Sequence, residues 1–454
     1  MIPLGLAYLA SYLKNKIACQ IRLVDSEAQG LNYQLIKQSI ESFEPNVVGI
    51  TCPTPTMEHV FNLAKMIKTE ISRSIIVVAG GIHPTALPQE TIAYPFIDFV
   101  VRGEGEETFY ELIKALSENK ADFSAIRGIC YKQNGLTITT PTRPLIADID
   151  TLPFPDRSLF DLSLYRSAPT KKVSDDPSGP ILTSRGCAFN CIHCISQKCW
   201  GGVMRFRSKA NVISEIEQCL ENYDIREFNF FDDTFTLNQK RAMEICQAII
   251  DKKLNISWVA FSRVNTISEA LVKMMKRAGC KKISFGLESG SQRILDLMRK
   301  NATPQMGAAA VKLVAQNKIL VHASFMFGNV GETETTIKQT LKFAKSLPLD
   351  NATFFITSPF PGTDLFTVAQ NEGFVTPQTK WQEFAPLTNT SPVLVQKNVS
   401  KERLVYWQKK AFREFYLRPK YIMHKLKQLN SLETFKTFIS GFKILLRIMI
   451  KKAS

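Results

Sequence analysis

Three cysteines within eight residues, Cys187, Cys191 and Cys194, are the side chains of this sequence best suited to chemistry. They lie in Thr183-Ser-Arg-Gly-Cys187-Ala-Phe-Asn-Cys191-Ile-His-Cys194, directly after the short apolar run Pro180-Ile-Leu. Thiolates crowded on one loop repel each other unless a soft metal holds them. Three ligands instead of four is informative, because an iron–sulfur cube bound by three cysteines leaves one iron open to a substrate or cofactor. The competing metal is structural zinc, with Cys199 or His193 as fourth ligand. A disulfide loop or chance spacing is the plain alternative. The other seven cysteines, at 19, 52, 130, 199, 219, 246 and 280, follow no regular spacing. That scatter suits reduced thiols in a cytoplasmic compartment, not a disulfide framework.

Other polar side chains fall where strands should end. Strand-like runs recur at 180–183, 227–231, 256–262, 282–286, 320–327 and 352–357, with helical stretches between them. Six such βα units predict a partial (β/α)6 TIM-like barrel over 178–385, with its site at the carboxyl ends of the strands. The cysteines follow the first run. Asp232 and Asp233 follow the second and suit a cation or acid–base work, or a helix cap, which Thr236 or Asn238 could equally provide. Arg263 ends the third run, where it could grip a carboxylate with two N–H groups or pair with a neighbouring barrel carboxylate. Glu288 and Ser289 follow the fourth, between Gly286 and Gly290, where a carboxylate suits a hydroxyl or amine, or serves the loop alone. Gly331 and Gly362 read as turn glycines.

Residues 1–147 alternate in the same way. Helical periodicity at 4–14, 34–43 and 57–70 is interleaved with strand-like runs at 21–25, 46–52, 74–80 and 96–102. This predicts a parallel, doubly wound, Rossmann-like α/β domain. Its ligand would lie beyond the carboxyl ends of the strands, which carry Thr51 and Thr54, then Gly80, Gly81 and His83, then Gly103, Glu104 and Gly105. Glycines there let a bulky cofactor approach the backbone, and His83 reads as a polar residue of that rim, not a metal ligand. Residues 124–147 predict a hairpin around Asn134-Gly135, and 148–177 a Pro- and Asp-rich linker.

At 454 residues, with 45% apolar and 22% charged side chains, the chain suits two or three globular domains. It has no signal-peptide pattern and no uncharged apolar run of about 18 residues. The net charge is +16, and residues 401–454 hold 14 Lys and Arg against 3 Asp and Glu, a net +11. Residues 386–454 therefore form a basic helical C-terminal segment. Its last stretch, 435–452, mixes large apolar residues with lysines and could lie in a membrane interface or pack on the barrel. No nucleic acid is expected, because the basic residues are not interleaved with stacking aromatics.

Taken in order, these motifs resemble the radical S-adenosylmethionine (radical SAM) proteins that carry a cobalamin-binding domain. The branch includes the anaerobic magnesium-protoporphyrin ester cyclase and hopanoid methylases. The resemblance rests on the Pro3-Leu-Gly-Leu-Ala-Tyr-Leu-Ala-Ser opening, Gly-Gly-x-His at 80–83 and Gly-Glu-Gly-Glu at 103–106. It continues with the cysteine loop, Phe-Asp-Asp-x-Phe-Thr at 231–236, Phe-Gly-Leu-Glu-Ser-Gly at 285–290, Gly-x-x-Gly-Glu-Thr at 328–333 and Pro-Phe-Pro-Gly-Thr at 359–363. Family members begin with one more strand, whereas this sequence starts at the Pro-Leu-Gly-Leu helix. The fifth loop reads Gly-Asn-Val-Gly where Gly-x-Pro-Gly is usual.

The resemblance implies a 4Fe-4S cluster on Cys187, Cys191 and Cys194. It implies S-adenosylmethionine contacts from Asp232, Asp233, Arg263, Glu288 and Ser289. Cobalamin would lie at the rim of the first domain without a protein imidazole ligand. The implied activity is methyl transfer to an unactivated carbon through a 5′-deoxyadenosyl radical, with oxidative cyclisation or ring rearrangement as the alternative. A tRNA-modifying enzyme and a cobalamin carrier with structural zinc are readings of other classes. The implied partners are a small-molecule substrate and an electron donor such as flavodoxin or ferredoxin; the amphipathic tail favours a hydrophobic substrate. The implied location is the cytoplasm, with peripheral contact at the inner membrane surface through the tail.

Overall fold

The computed structural model describes residues 1–426, apart from 166, 168–171, 175 and 388–390, and beyond them position 439. The interfacial stretch expected at 435–452 thus lies outside the described residues. Among those residues no helix is long and apolar enough to cross a membrane. The chain divides into two compact units, one of Met1–Tyr165 with Ile195–Arg205 and one of Arg166–Cys194 with Phe206–Ser454.

The first unit is built on a five-stranded sheet in sequence order: β1 (Val47–Thr51), β2 (Ile76–Gly80), β3 (Phe99–Val101), β4 (Ile129–Gln133) and β5 (Leu136–Thr139). The first three strands run parallel, and β4 and β5 add an antiparallel hairpin. Asn134 and Gly135 both take positive φ, at 51° and 79°, as a two-residue hairpin turn requires. The sheet and the helix Gly105–Ser117 bury Val78, Phe99, Leu112, Ile129 and Tyr131. The helix Leu4–Lys14 packs on Gly105–Ser117, with Tyr12 edge-on to Tyr110. Three aspartates order the expected linker: Asp148, Asp156 and Asp161 each accept a backbone N–H two residues on and start a single 3-10 turn.

The strand expected at 21–25 does not form. A strand needs a neighbour's backbone groups, whereas these residues are held through side chains. Arg22 stacks over Phe43 at 4.5 Å and donates to the Ser39 carbonyl. Asp25 accepts from the Ala28 N–H and the Tyr165 hydroxyl.

The second unit holds six parallel strands: β6 (Ser178–Ile181), β7 (Glu227–Phe230), β8 (Ser257–Ser262), β9 (Cys280–Glu288), β10 (Leu320–Phe327) and β11 (Asn351–Ile356). They pair in sequence order, with β6 and β11 at the edges. Aromatic residues fill the interior. Phe230 stacks on Trp258 at 4.8 Å, and Phe325 on Phe354 at 5.4 Å. The edge of β11 is closed by side chains. Tyr416, in the helix Lys401–Tyr416, bonds both the N–H and the carbonyl of Ala352. Gln408 donates to the Phe354 carbonyl, and the Ile356 N–H reaches Pro386. These are alternate residues of β11, whose backbone groups point away from β10.

Candidate cluster and cofactor site

The loop with the three thiols leaves β6 at the carboxyl ends of the six strands. Gly186 turns it with φ of 102°, a backbone conformation open to glycine. Both backbone groups of Ile192 are tied down, the N–H to Met298 at 3.2 Å and the carbonyl by Leu365 at 2.9 Å. The Ile192 side chain packs with Leu365, Ala369 and Val395. Val330, which replaces the usual proline of the fifth loop, joins this apolar cluster. Cys187 and Cys191 are buried and Cys194 is half-buried, and all ten cysteines are thiols, none in a disulfide.

Three buried side chains, Arg263, Glu288 and Lys300, stand behind the thiols with the half-buried His193. Arg263, 7% exposed, donates from Nη1 to the sulfur of Cys191 at 3.2 Å and from Nη2 to the Lys300 carbonyl. Its guanidinium lies 3.7 Å from the centre of the Phe189 ring, inside the same loop. Glu288 ends β9 with φ of 60° and pairs with Lys300 at 2.8 Å. A side chain at Gly286 would strike that pair, with a Cβ 2.9 Å from the lysine nitrogen. Burial pushes the Glu288 carboxyl up, but the Lys300 charge and hydrogen bond, with the Arg263 charge, outweigh it and hold the carboxyl below the usual range. Burial presses His193 down to about 4, so its ring is neutral, and its Nδ1 is buried without a hydrogen-bond partner. Lys300 carried no signal in the sequence, since neither motif nor periodicity links it to Glu288 twelve residues earlier.

The acidic pair divides its work. Asp232 is 1% exposed and accepts from the Thr183 N–H, the Thr183 hydroxyl and the Ser184 hydroxyl. It therefore anchors the start of the cysteine loop. Burial pushes its carboxyl up against those hydrogen bonds. Asp233 is exposed, and Asn238 is the residue that caps the next helix. Ser289 is fully buried, bonded to Thr340 and to the Ser291 N–H. It too serves its loop, because its hydroxyl is engaged on both sides.

In the first unit, Thr51 and Gly80 end their strands. Gly81, at φ of 101°, leaves no space for a Cβ, which would lie 2.6 Å from the Thr51 hydroxyl. His83 departs from the rim expectation. It is fully buried, with Nδ1 at 3.2 Å from the Thr54 hydroxyl and Nε2 at 3.1 Å from Glu90. Gly103, at φ of 73°, donates to the Thr85 hydroxyl, and Gly105 starts its helix. Glu104 has a structural role. It is buried against Arg205 at 2.6 Å and accepts the Ile146 N–H. Arg205 closes the segment Ile195–Arg205, whose helix Ser196–Trp200 packs on the helix Ile82–Ala86. Nothing in the sequence separated that segment from the cysteine loop before it.

The B12 binding domain model matches residues 1–113, and the Radical SAM superfamily model matches 181–344. An uncharacterised methyltransferase of Pyrococcus horikoshii is 40% identical over 422 residues, 93% of this chain and 89% of that protein. The chain belongs to the cobalamin-binding radical SAM family. Its cofactors are accordingly a 4Fe-4S cluster, S-adenosylmethionine and cobalamin. The anaerobic magnesium-protoporphyrin IX monomethyl ester cyclase of Rubrivivax gelatinosus is 32% identical over 373 residues, 80% of this chain and 65% of the cyclase. The fold is shared with the cobalamin-dependent S-adenosylmethionine radical enzyme OxsB, at TM-score 0.74 and 16% identity over 98% of this chain and 68% of that one. It is also shared with the radical SAM methyltransferase TsrM of Kitasatospora setae, at TM-score 0.67 and 21% identity over 83% and 74%.

The cysteine loop suits the family's cluster by its donor set and by its charge. Burial pushes the Cys187 thiol up; the Phe189 N–H pulls the other way, and the Asp233 charge adds to the rise. A bound cationic centre reverses that logic by favouring thiolate. Among the described residues, no group of three or more His, Cys, Asp or Glu gathers closely enough for a metal ion.

Proposed function

We propose that the protein is a methyltransferase acting on an unactivated carbon of a small, hydrophobic molecule. The observation that carries this reading is the three-cysteine loop pinned at the carboxyl ends of six parallel strands, in a chain matching a named methyltransferase over 89% of its length. When bound, the cofactors supply a 5′-deoxyadenosyl radical and a transferable methyl group. Cys187, Cys191 and Cys194 hold the cluster. Asp232, Asp233 and Glu288 are the carboxylates that orient S-adenosylmethionine, Asp233 from an exposed position and Glu288 through its pairing with Lys300. Thr51, Gly80, Gly81, Gly103 and Gly105 form the cobalamin rim, with Thr54 and His83 bracing it from inside. The six strands act as a partial barrel that excludes water from the reacting carbon. A one-electron donor such as flavodoxin or ferredoxin reduces the enzyme in the cytoplasm, with the basic tail resting on the inner membrane surface.

Oxidative cyclisation is the second reading, favoured by the cyclase that is 32% identical over 80% of this chain. Methyl-labelled S-adenosylmethionine separates the two. Methyl transfer gives a labelled product heavier by one methyl group, and cyclisation gives an unlabelled product without added carbon.

A further inference from the structure

We propose that Arg263 is a positioning residue that sets the reduction potential of the cluster through the sulfur of Cys191. This rests on the cluster assignment above. Each Nη atom gives one of its two N–H groups to the protein, Nη1 to the Cys191 sulfur at 3.2 Å and Nη2 to the Lys300 carbonyl, and the buried Nε lacks a protein partner. The guanidinium also lies over Phe189 at 3.7 Å. One cation thus holds two points of the cysteine loop, the ring between the first and second thiols and the second sulfur itself. Lys300 fixes it from behind, because the lysine's own charge is absorbed by Glu288 at 2.8 Å.

A buried cation donating to a cluster sulfur favours the more negative, reduced state, and hydrogen bonds to sulfur are an established lever on cluster potential. The low local dielectric strengthens the effect. The redox step is the entry of one electron from an external low-potential one-electron donor, with no bond made or broken and no proton moved.

The test uses the full chain, reconstituted anaerobically with iron and sulfide, as wild type, Arg263→Gln and Arg263→Lys. Iron and sulfide content are assayed first, and the midpoint is then read by redox titration followed by electron paramagnetic resonance. Binding of S-adenosylmethionine is measured by equilibrium dialysis. In Arg263→Gln the ratio of reduced to oxidised cluster at fixed potential is expected to fall on the order of tenfold, about 59 mV, as loss of one charge-assisted hydrogen bond implies. Arg263→Lys keeps the charge and is expected to recover part of the shift, with affinity for S-adenosylmethionine unchanged in both. A loaded Arg263→Gln cluster with the wild-type midpoint overturns the inference. So does a tenfold loss of S-adenosylmethionine affinity without a midpoint shift. If Arg263→Gln fails to load, the Arg263→Lys titration decides in the same way. A wild-type protein that takes up no iron and sulfide overturns the cluster assignment instead.

Discussion

Glu104 and Arg205 show how a motif residue can be committed to the fold. The pair is buried on both sides, and Arg205 also donates to the Ile146 carbonyl at 2.7 Å. Removing one partner of a buried pair leaves an uncompensated charge, typically at a cost of about 3–5 kcal/mol. Glu104→Gln is expected to lower the unfolding free energy by that order, read as a lower denaturant midpoint, with Trp200, 5.8 Å from Arg205, among the fluorescent reporters. An unchanged midpoint would mean that the pair is not formed. The three cysteines were legible from their spacing, because few other arrangements of thiols suit one loop. Asp232, His83 and Ser289 were legible only as polar residues at strand ends. Whether such a side chain faces a ligand or turns inward is decided by partners such as Thr183, Glu90 and Thr340, which lie far away in sequence.

At the scale of elements, the alternation of strand and helix placed all six strands of the second unit close to their observed limits, since each is an apolar run bounded by turns. The run at 21–25 failed for lack of a neighbour, which no local pattern reveals. The helix Lys401–Tyr416 guards the sheet edge through Tyr416, and Tyr416→Phe removes both of its hydrogen bonds to Ala352. A loss of about 1–3 kcal/mol is expected, with faster hydrogen exchange at the Ala352 amide; unchanged protection would exclude this guarding role.

The loop after β10 holds Glu332, fully buried and bonded to the N–H groups of Gly328 and Asn329. Burial raises its carboxyl to about 7, against the two backbone bonds. A raised folded value means that the native state binds the proton more tightly. Its stabilising contribution is therefore full below about 4.5 and lost as pH rises through about 7. Melting temperature of the wild type relative to Glu332→Gln is expected to fall between those values. A constant difference would show that Glu332 does not titrate there.

For the whole molecule, family membership, the two matched domains and the site geometry converge on one enzyme that pairs a cobalamin-binding unit with a radical-initiating unit. The two units part between Tyr165 and Arg166, within the Pro- and Asp-rich stretch. The return of Ile195–Arg205 to the first unit has no signal in the sequence, because it depends on the Glu104 pairing and on packing against Ile82–Ala86. The central claim is that Cys187, Cys191 and Cys194 hold the cluster that opens S-adenosylmethionine. The most direct measurement is 5′-deoxyadenosine formed by the anaerobically reconstituted protein under a strong reductant, with wild type beside Cys191→Ala of unchanged circular dichroism. The wild type should form it and the variant should not; deoxyadenosine from Cys191→Ala at the wild-type rate would contradict the account.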